Sequence, residues 1–144
     1  MGTRILGLDI GDKRIGVALG DPTGILASPL TIIDRITDDG AIDEILRITT
    51  EREVARIIVG LPRSMDGGIG HQAEKVQSFT EALQQRTTVP VEYRDERLTT
   101  VTAIRLKQEA STRKLNRKTR YDAMAAAIIL QEYLNEKPLE NRQP

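Results

Sequence analysis

Three apolar runs crowd into the first 33 residues, and the spacers between them are too short to hold a helix. Arg4–Ile10 reads RILGLDI and Arg14–Gly20 reads RIGVALG, with only Gly11-Asp12-Lys13 between them. So short a spacer of turn-forming residues makes the pair a hairpin. Residues 25–33 form a third strand, approached through the turn signal Asp21-Pro22-Thr23-Gly24. The period then changes. Ile42, Ile45, Leu46 and Thr49 fall at helical spacing, and residues 56–61 are a β-branched run that stops at Pro62. Residues 63–70 are a polar, glycine-rich loop, after which Ala73, Val76, Phe79 and Leu83 mark a second amphipathic helix. A fifth strand is expected over 89–93, then helices over 99–110 and 119–135.

That order restricts the topology. Strands joined by short turns are antiparallel neighbours, whereas strands reached through helices add in parallel by crossovers. The expectation is an α/β fold with a mixed five-stranded sheet, three antiparallel strands then two parallel, and helices on both faces. A chain of 144 residues suits one domain. It is drawn here as residues 1–137, with a loose polar tail over 138–144.

Composition narrows the chemistry. There is no cysteine and one histidine, His71. A disulfide framework, a thiol nucleophile and Cys-type or multi-histidine metal sites are therefore excluded. Any metal must be held by oxygen, which favours Mg²⁺ or Mn²⁺. No segment resembles a secretory signal or a membrane span, so a cytoplasmic protein without a membrane partner is expected. Net charge is zero, but residues 105–120 carry seven basic side chains and one acidic, a local +6 against −6 elsewhere. Charge segregated in this way can build a phosphate-binding surface on a neutral protein.

Three carboxylates stand out. In the first strand Leu6, Leu8 and Ile10 share one face, and Ile5, Gly7 and Asp9 share the other. A strand this apolar belongs in the sheet centre, covered on both sides. A carboxylate there loses hydration unless something pairs with it, and a metal ion is a good partner. Closing the hairpin, or pairing with Lys13 or Arg14, is the plainer alternative. Asp122 precedes Ala125, Ala126 and Ile129 by three, four and seven residues, which puts it on an apolar, alanine-rich helix face. The same stretch also fits a capping box, with Thr119 as N-cap and Asp122 as its third helical residue. Glu96 lies in Arg94-Asp95-Glu96-Arg97, which taken alone reads better as a solvated, self-neutralising cluster. Asp95 competes with it, because strand neighbours point opposite ways. Together the three acids suit phosphodiester hydrolysis. Two divalent ions about 4 Å apart can activate a water and neutralise the leaving oxygen, and clustered carboxylates hold such a pair.

Basic residues near these acids are candidate phosphate contacts. Lys13 and Arg14 follow the Asp9 strand directly. Arg113, Lys114, Arg117 and Lys118 lie in a 111–118 loop before the Asp122 helix, and would draw in a polyanion. A solvated linker is the alternative for that loop, and a surface arginine the alternative for Arg14. The Gly67-Gly68-Ile69-Gly70 stretch is weaker evidence of the same kind. With so few aromatics, backbone or shape recognition is expected rather than base reading.

Four segments carry a family resemblance: Asp9-Ile10-Gly11-Asp12-Lys13-Arg14-Ile15-Gly16; Gly60-Leu61-Pro62 with Met65-Asp66-Gly67; Asp95-Glu96-Arg97-Leu98-Thr99-Thr100; and the stretch from Asp122 to Leu130. In order and spacing they resemble the YqgF (RuvX) family, Holliday-junction-resolvase-like proteins also described as pre-16S rRNA nucleases. The resemblance implies a ribonuclease-H-like fold and a nuclease acting in 5′-end maturation of 16S rRNA. It also implies that Asp9, Glu96 and Asp122 are the acidic active site. The partner it implies is nucleic acid, precursor rRNA or branched DNA. A monomer or weak homodimer is expected, since the sequence shows no evident dimer seam. Two other readings stay open. The Asp9 segment also resembles the first phosphate loop of actin-like ATPases and sugar kinases, although a second such domain is lacking. A non-catalytic nucleic-acid-binding module is the other.

Overall fold

The computed structural model describes residues 3–62, 71–95 and 115–136, with the backbone alone for residue 71 and residues 115–122. The expected 63–70 loop, the 99–110 helix and the 138–144 tail lie outside the described residues. The elements are β1 Arg4–Ile10, β2 Arg14–Gly20, β3 Ala27–Asp34, α1 Asp38–Glu51, β4 Val54–Leu61, α2 His71–Arg86, β5 Val91–Asp95 and α3 Leu115–Glu136. Five strands form one sheet in the order β3-β2-β1-β4-β5. The β1–β2 and β2–β3 pairs are antiparallel, and β1–β4 and β4–β5 are parallel. This is the mixed sheet that the element order dictates.

Strand alternation sorts the side chains of the central strand between two layers. Leu6, Leu8 and Ile10 of β1 join Ile42, Ile45 and Ile48 of α1 and Val76, Phe79 and Leu83 of α2 in one buried core. On the opposite face Ala18 and Ile58 pack with Ala125, Ala126, Ile129, Leu130 and Leu134 of α3, and Ile5 borders that cluster. Helix α1 begins where Thr37 caps it, its hydroxyl accepting the Gly40 N–H at 3.0 Å. Asp38 and Asp39 in its first turn suit the positive end of the helix dipole.

Helix α3 lies unusually close to the sheet. A Cβ at Gly7 would stand 2.8 Å from the Leu130 Cβ and 3.1 Å from the Ala126 carbonyl oxygen. The contact requires a residue without a side chain in β1. Gln131 fastens the same helix to the start of β3, accepting from the Ala27 N–H at 2.9 Å and donating to the Ile25 carbonyl at 2.8 Å.

Several boundaries differ from the sequence expectation; β4, for one, already begins at Val54. β3 starts at Ala27, because the Asp21 carboxylate accepts from the Ile25 and Leu26 N–H groups and holds both residues in the turn. β5 starts after Pro90, whose carbonyl accepts from the Ile57 N–H, and runs on to Asp95. The last helix is already helical at Leu115. Thr119 is therefore inside it rather than its N-cap, and the capping-box reading of Asp122 falls. Residues 115–118 (Leu, Asn, Arg, Lys) are helix rather than loop, and nothing in their propensities opposes this.

Candidate active site

Asp9 is the next-to-last residue of β1 and only 6% exposed. It pairs across the sheet with Gly16 of β2. On the β4 side Leu8 pairs with Val59, so Gly60 is the next residue along. Its carboxylate thus stands between two strand positions that carry no side chain, on the face that α3 covers. Arg14 precedes Gly16 by two residues on β2, so it belongs to that same face. Arg14 is half-buried, whereas Lys13, in the turn, is exposed.

β1, β4 and β5 run parallel, so their C-terminal ends share one edge of the sheet. Ligands of open α/β sheets gather at such an edge. Asp95 is the last residue of β5. It pairs with Leu61, which belongs to the α1–α2 core, so Asp95 occupies the face opposite Asp9. Glu96 is the next residue and lies outside the described residues.

Arg94, one residue earlier, belongs to the α3 face. Its guanidinium meets Glu136 at 2.5 and 2.6 Å and Glu132 at 3.8 Å. The four-residue charge cluster expected around Asp95 and Glu96 therefore loses Arg94 to α3. Among the described residues the Arg94 Nε is buried without a hydrogen-bond partner.

The position of Asp122 follows from the direction of α3. Arg56 donates to the Tyr133 hydroxyl at 3.1 Å, and Arg56 pairs with Ile5. The Ala126 carbonyl lies over Gly7. Moving back along α3 from Tyr133 to Ala126 thus moves forward along β1 from Ile5 to Gly7. Asp122 is one turn further along α3 in that direction.

Of the three acids proposed from sequence, only Asp9 has a described side chain, and no cluster of three metal-binding side chains occurs among the described residues. Arg117 and Lys118 fall among the first described residues of α3. Arg113 and Lys114 lie outside the described residues. A groove of about 530 Å³ between β3 and α1, lined by Leu30, Ile32, Glu44 and Arg47 among others, includes none of the candidate residues.

Sequence reasoning missed Gly16 and Gly60 as the neighbours of Asp9. A three-residue turn would have paired Ile10 with Arg14 and Asp9 with Ile15, whereas the Gly11 N–H donates to the Arg14 carbonyl and shifts the register by one, to Ile10 with Ile15 and Asp9 with Gly16. It also missed Arg94 and Arg35. Their partners lie 42 and 24 residues away, beyond any local pattern.

The family described as RuvX: Holliday junction resolvase matches this chain over residues 3–136. A Clostridium acetobutylicum protein provisionally named a pre-16S rRNA nuclease is 48% identical over 132 residues, covering 92% of this chain and 98% of its own length. The fowlpox virus Holliday junction resolvase superposes with a TM-score of 0.54 at 17% identity, over 93% of this chain and 99% of the viral one. T. thermophilus RuvC, solved with a Holliday junction substrate, gives 0.52 at 13% identity, over 92% and 93% of the two chains. At such identities the structural likeness establishes the fold, which is ribonuclease-H-like. Sequence match and fold agree, and the chain belongs to the RuvX family.

Proposed function

We propose that this chain is a metal-dependent endonuclease that hydrolyses phosphodiester bonds of precursor 16S rRNA, at its 5′ end, in the cytoplasm. Nuclease activity comes with the family. The observation that carries the mechanism is Asp9, a nearly buried carboxylate on the central strand, flanked by glycines at the edge where three parallel strands end. A buried carboxylate at such an edge is a suitable oxygen ligand for a hard divalent cation.

Asp9, Glu96 and Asp122 are the residues that would hold Mg²⁺ or Mn²⁺. The donor chemistry fits, because a chain without cysteine and with a single histidine offers hard oxygen ligands. A bound pair of such ions supplies a water activated near neutral pH and neutralises charge on the leaving oxygen. Arg14, on the Asp9 face, orients the scissile phosphate, and Lys13 holds a neighbouring one. Arg113, Lys114, Arg117 and Lys118 offset carboxylate repulsion and gather the polyanion at the N-terminal end of α3. The working unit is a monomer or weak homodimer.

The family description supports a second reading, cleavage of branched DNA. One experiment separates the two. Wild type and Asp9→Asn are compared on precursor rRNA and on a four-way DNA junction, with and without Mn²⁺. Metal-dependent RNA cleavage that disappears in Asp9→Asn is expected. Cleavage of the junction alone would move the assignment to DNA. RNA binding without cleavage under any metal would leave a non-catalytic binding module, and equal activity in both proteins would remove Asp9 from the site.

A further inference from the structure

The turn that follows Asp9 is gripped from the far side of the sheet. Arg35, just beyond β3, donates its backbone N–H to the Lys13 carbonyl at 2.8 Å. Its guanidinium donates to the Gly11 carbonyl at 2.9 Å. Both carbonyls belong to the turn between β1 and β2. The same guanidinium is held by Asp38 at 2.8 Å, and its carbon lies 4.9 Å from the centre of the Phe79 ring in α2. Arg35 follows Ile33 by two residues, and Ile33 belongs to the α1–α2 core. The grip therefore comes from the face opposite Asp9 and leaves the Asp9 face open to substrate.

The turn has little slack of its own. The Gly11 N–H donates to the Arg14 carbonyl at 2.9 Å, and a Cβ at Gly11 would stand 2.7 Å from that oxygen. Lys75 of α2 approaches the Asp12 carboxylate at 3.6 Å on the same side. The turn ties Asp9, two residues before it, to Lys13 and Arg14. Any loosening there moves a candidate metal ligand and two candidate phosphate contacts together.

We infer that Arg35 is a positioning residue for the nuclease site, fixing the 11–13 turn and through it Asp9, Lys13 and Arg14. The inference rests on the site reading given above. A small displacement of a reacting group costs up to about 100-fold in rate. Arg35→Met keeps an apolar stem against Phe79 but loses the forked donors. It should lower kcat by about 10- to 100-fold, with a smaller change in KM. Amide hydrogen exchange at Gly11 should accelerate while the α1 and α2 amides stay protected. Arg47→Met removes an exposed arginine of α1 that pairs only with Glu44 and Glu51 among the described residues, and it should keep parental activity.

The outcomes separate cleanly. If Asp9→Asn is inactive and Arg35→Met keeps both parental kcat and parental exchange at Gly11, the positioning role is wrong. If Arg35→Met merely unfolds more readily, with exchange rising everywhere and kcat of the folded fraction unchanged, the role is structural and the inference fails. If Asp9→Asn remains active, the site reading fails, and this inference with it.

Discussion

Replacing Gly7 by alanine tests how tightly α3 is seated on the sheet. The new Cβ would stand 2.8 Å from the Leu130 Cβ and 3.1 Å from the Ala126 carbonyl oxygen. Carbon atoms rest comfortably at about 3.5–4.0 Å, so the helix must retreat by several tenths of an ångström or more. Neither obstacle is the free end of a flexible side chain. Overpacking of this kind costs about 1–3 kcal/mol. Removing a glycine from a strand interior returns about 0.5–1 kcal/mol. The net loss should be about 0–2.5 kcal/mol, centred near 1. For a domain of this size 1 kcal/mol lowers Tm by roughly 2–4 °C.

Thermal unfolding followed by circular dichroism measures the change directly. Activity should fall further than stability explains, because the retreating helix carries Asp122 away from β1. A Tm equal to or above that of the parent would show that α3 does not rest on Gly7.

Other expectations concern charge. Neutralising Arg113, Lys114, Arg117 and Lys118 together should weaken RNA binding and flatten its salt dependence. Each lost phosphate contact lowers the slope by about 0.7–0.9, so a drop of up to about 3 is expected, and an unchanged slope would remove these residues from the binding surface. At Asp21 burial pushes the carboxyl up, but hydrogen bonds from the Ile25 N–H, the Thr23 hydroxyl and the Leu26 and Gly24 N–H groups outweigh it, so it lies below its ordinary value of 3.8. A carboxyl lowered on folding stabilises above its unfolded value and loses that contribution as pH falls through its folded one. Asp21→Ala should therefore lower Tm most near neutral pH and progressively less as the pH is lowered and the carboxyl takes up its proton. A loss that does not shrink on acidification would mean that the turn is held by something other than this charge.

Much of the fold was legible because it depends on period and order. The switch from short β runs to helical spacing after residue 33 is enough to arrange five strands. The assignment of Leu6, Leu8 and Ile10 to one face, and Asp9 to the other, follows from alternation alone and agrees with the two cores. Boundaries were harder, since they depend on single hydrogen bonds. Asp21 keeps Ile25 and Leu26 out of β3 although both are good strand formers. Thr119 looks like a cap in the sequence, yet a helix that already runs through Leu115 gives it nothing to cap. Asp95 and Glu96 could not be told apart without the register of β5. Once Leu61 pairs with Asp95, the core side of that residue is fixed. Arg94 was read as part of a local charge cluster because its partners, Glu132 and Glu136, become neighbours only when α3 crosses the sheet.

As proposed, Asp9, Glu96 and Asp122 meet around the same cations. Titration of Mn²⁺ into wild type and into Asp9→Asn, Glu96→Gln and Asp122→Asn, followed by electron paramagnetic resonance, tests it most directly. Each single variant should bind Mn²⁺ at least about 10-fold more weakly than wild type while remaining folded. Parental Mn²⁺ affinity in any one of the three would place that carboxylate outside the site and contradict the account.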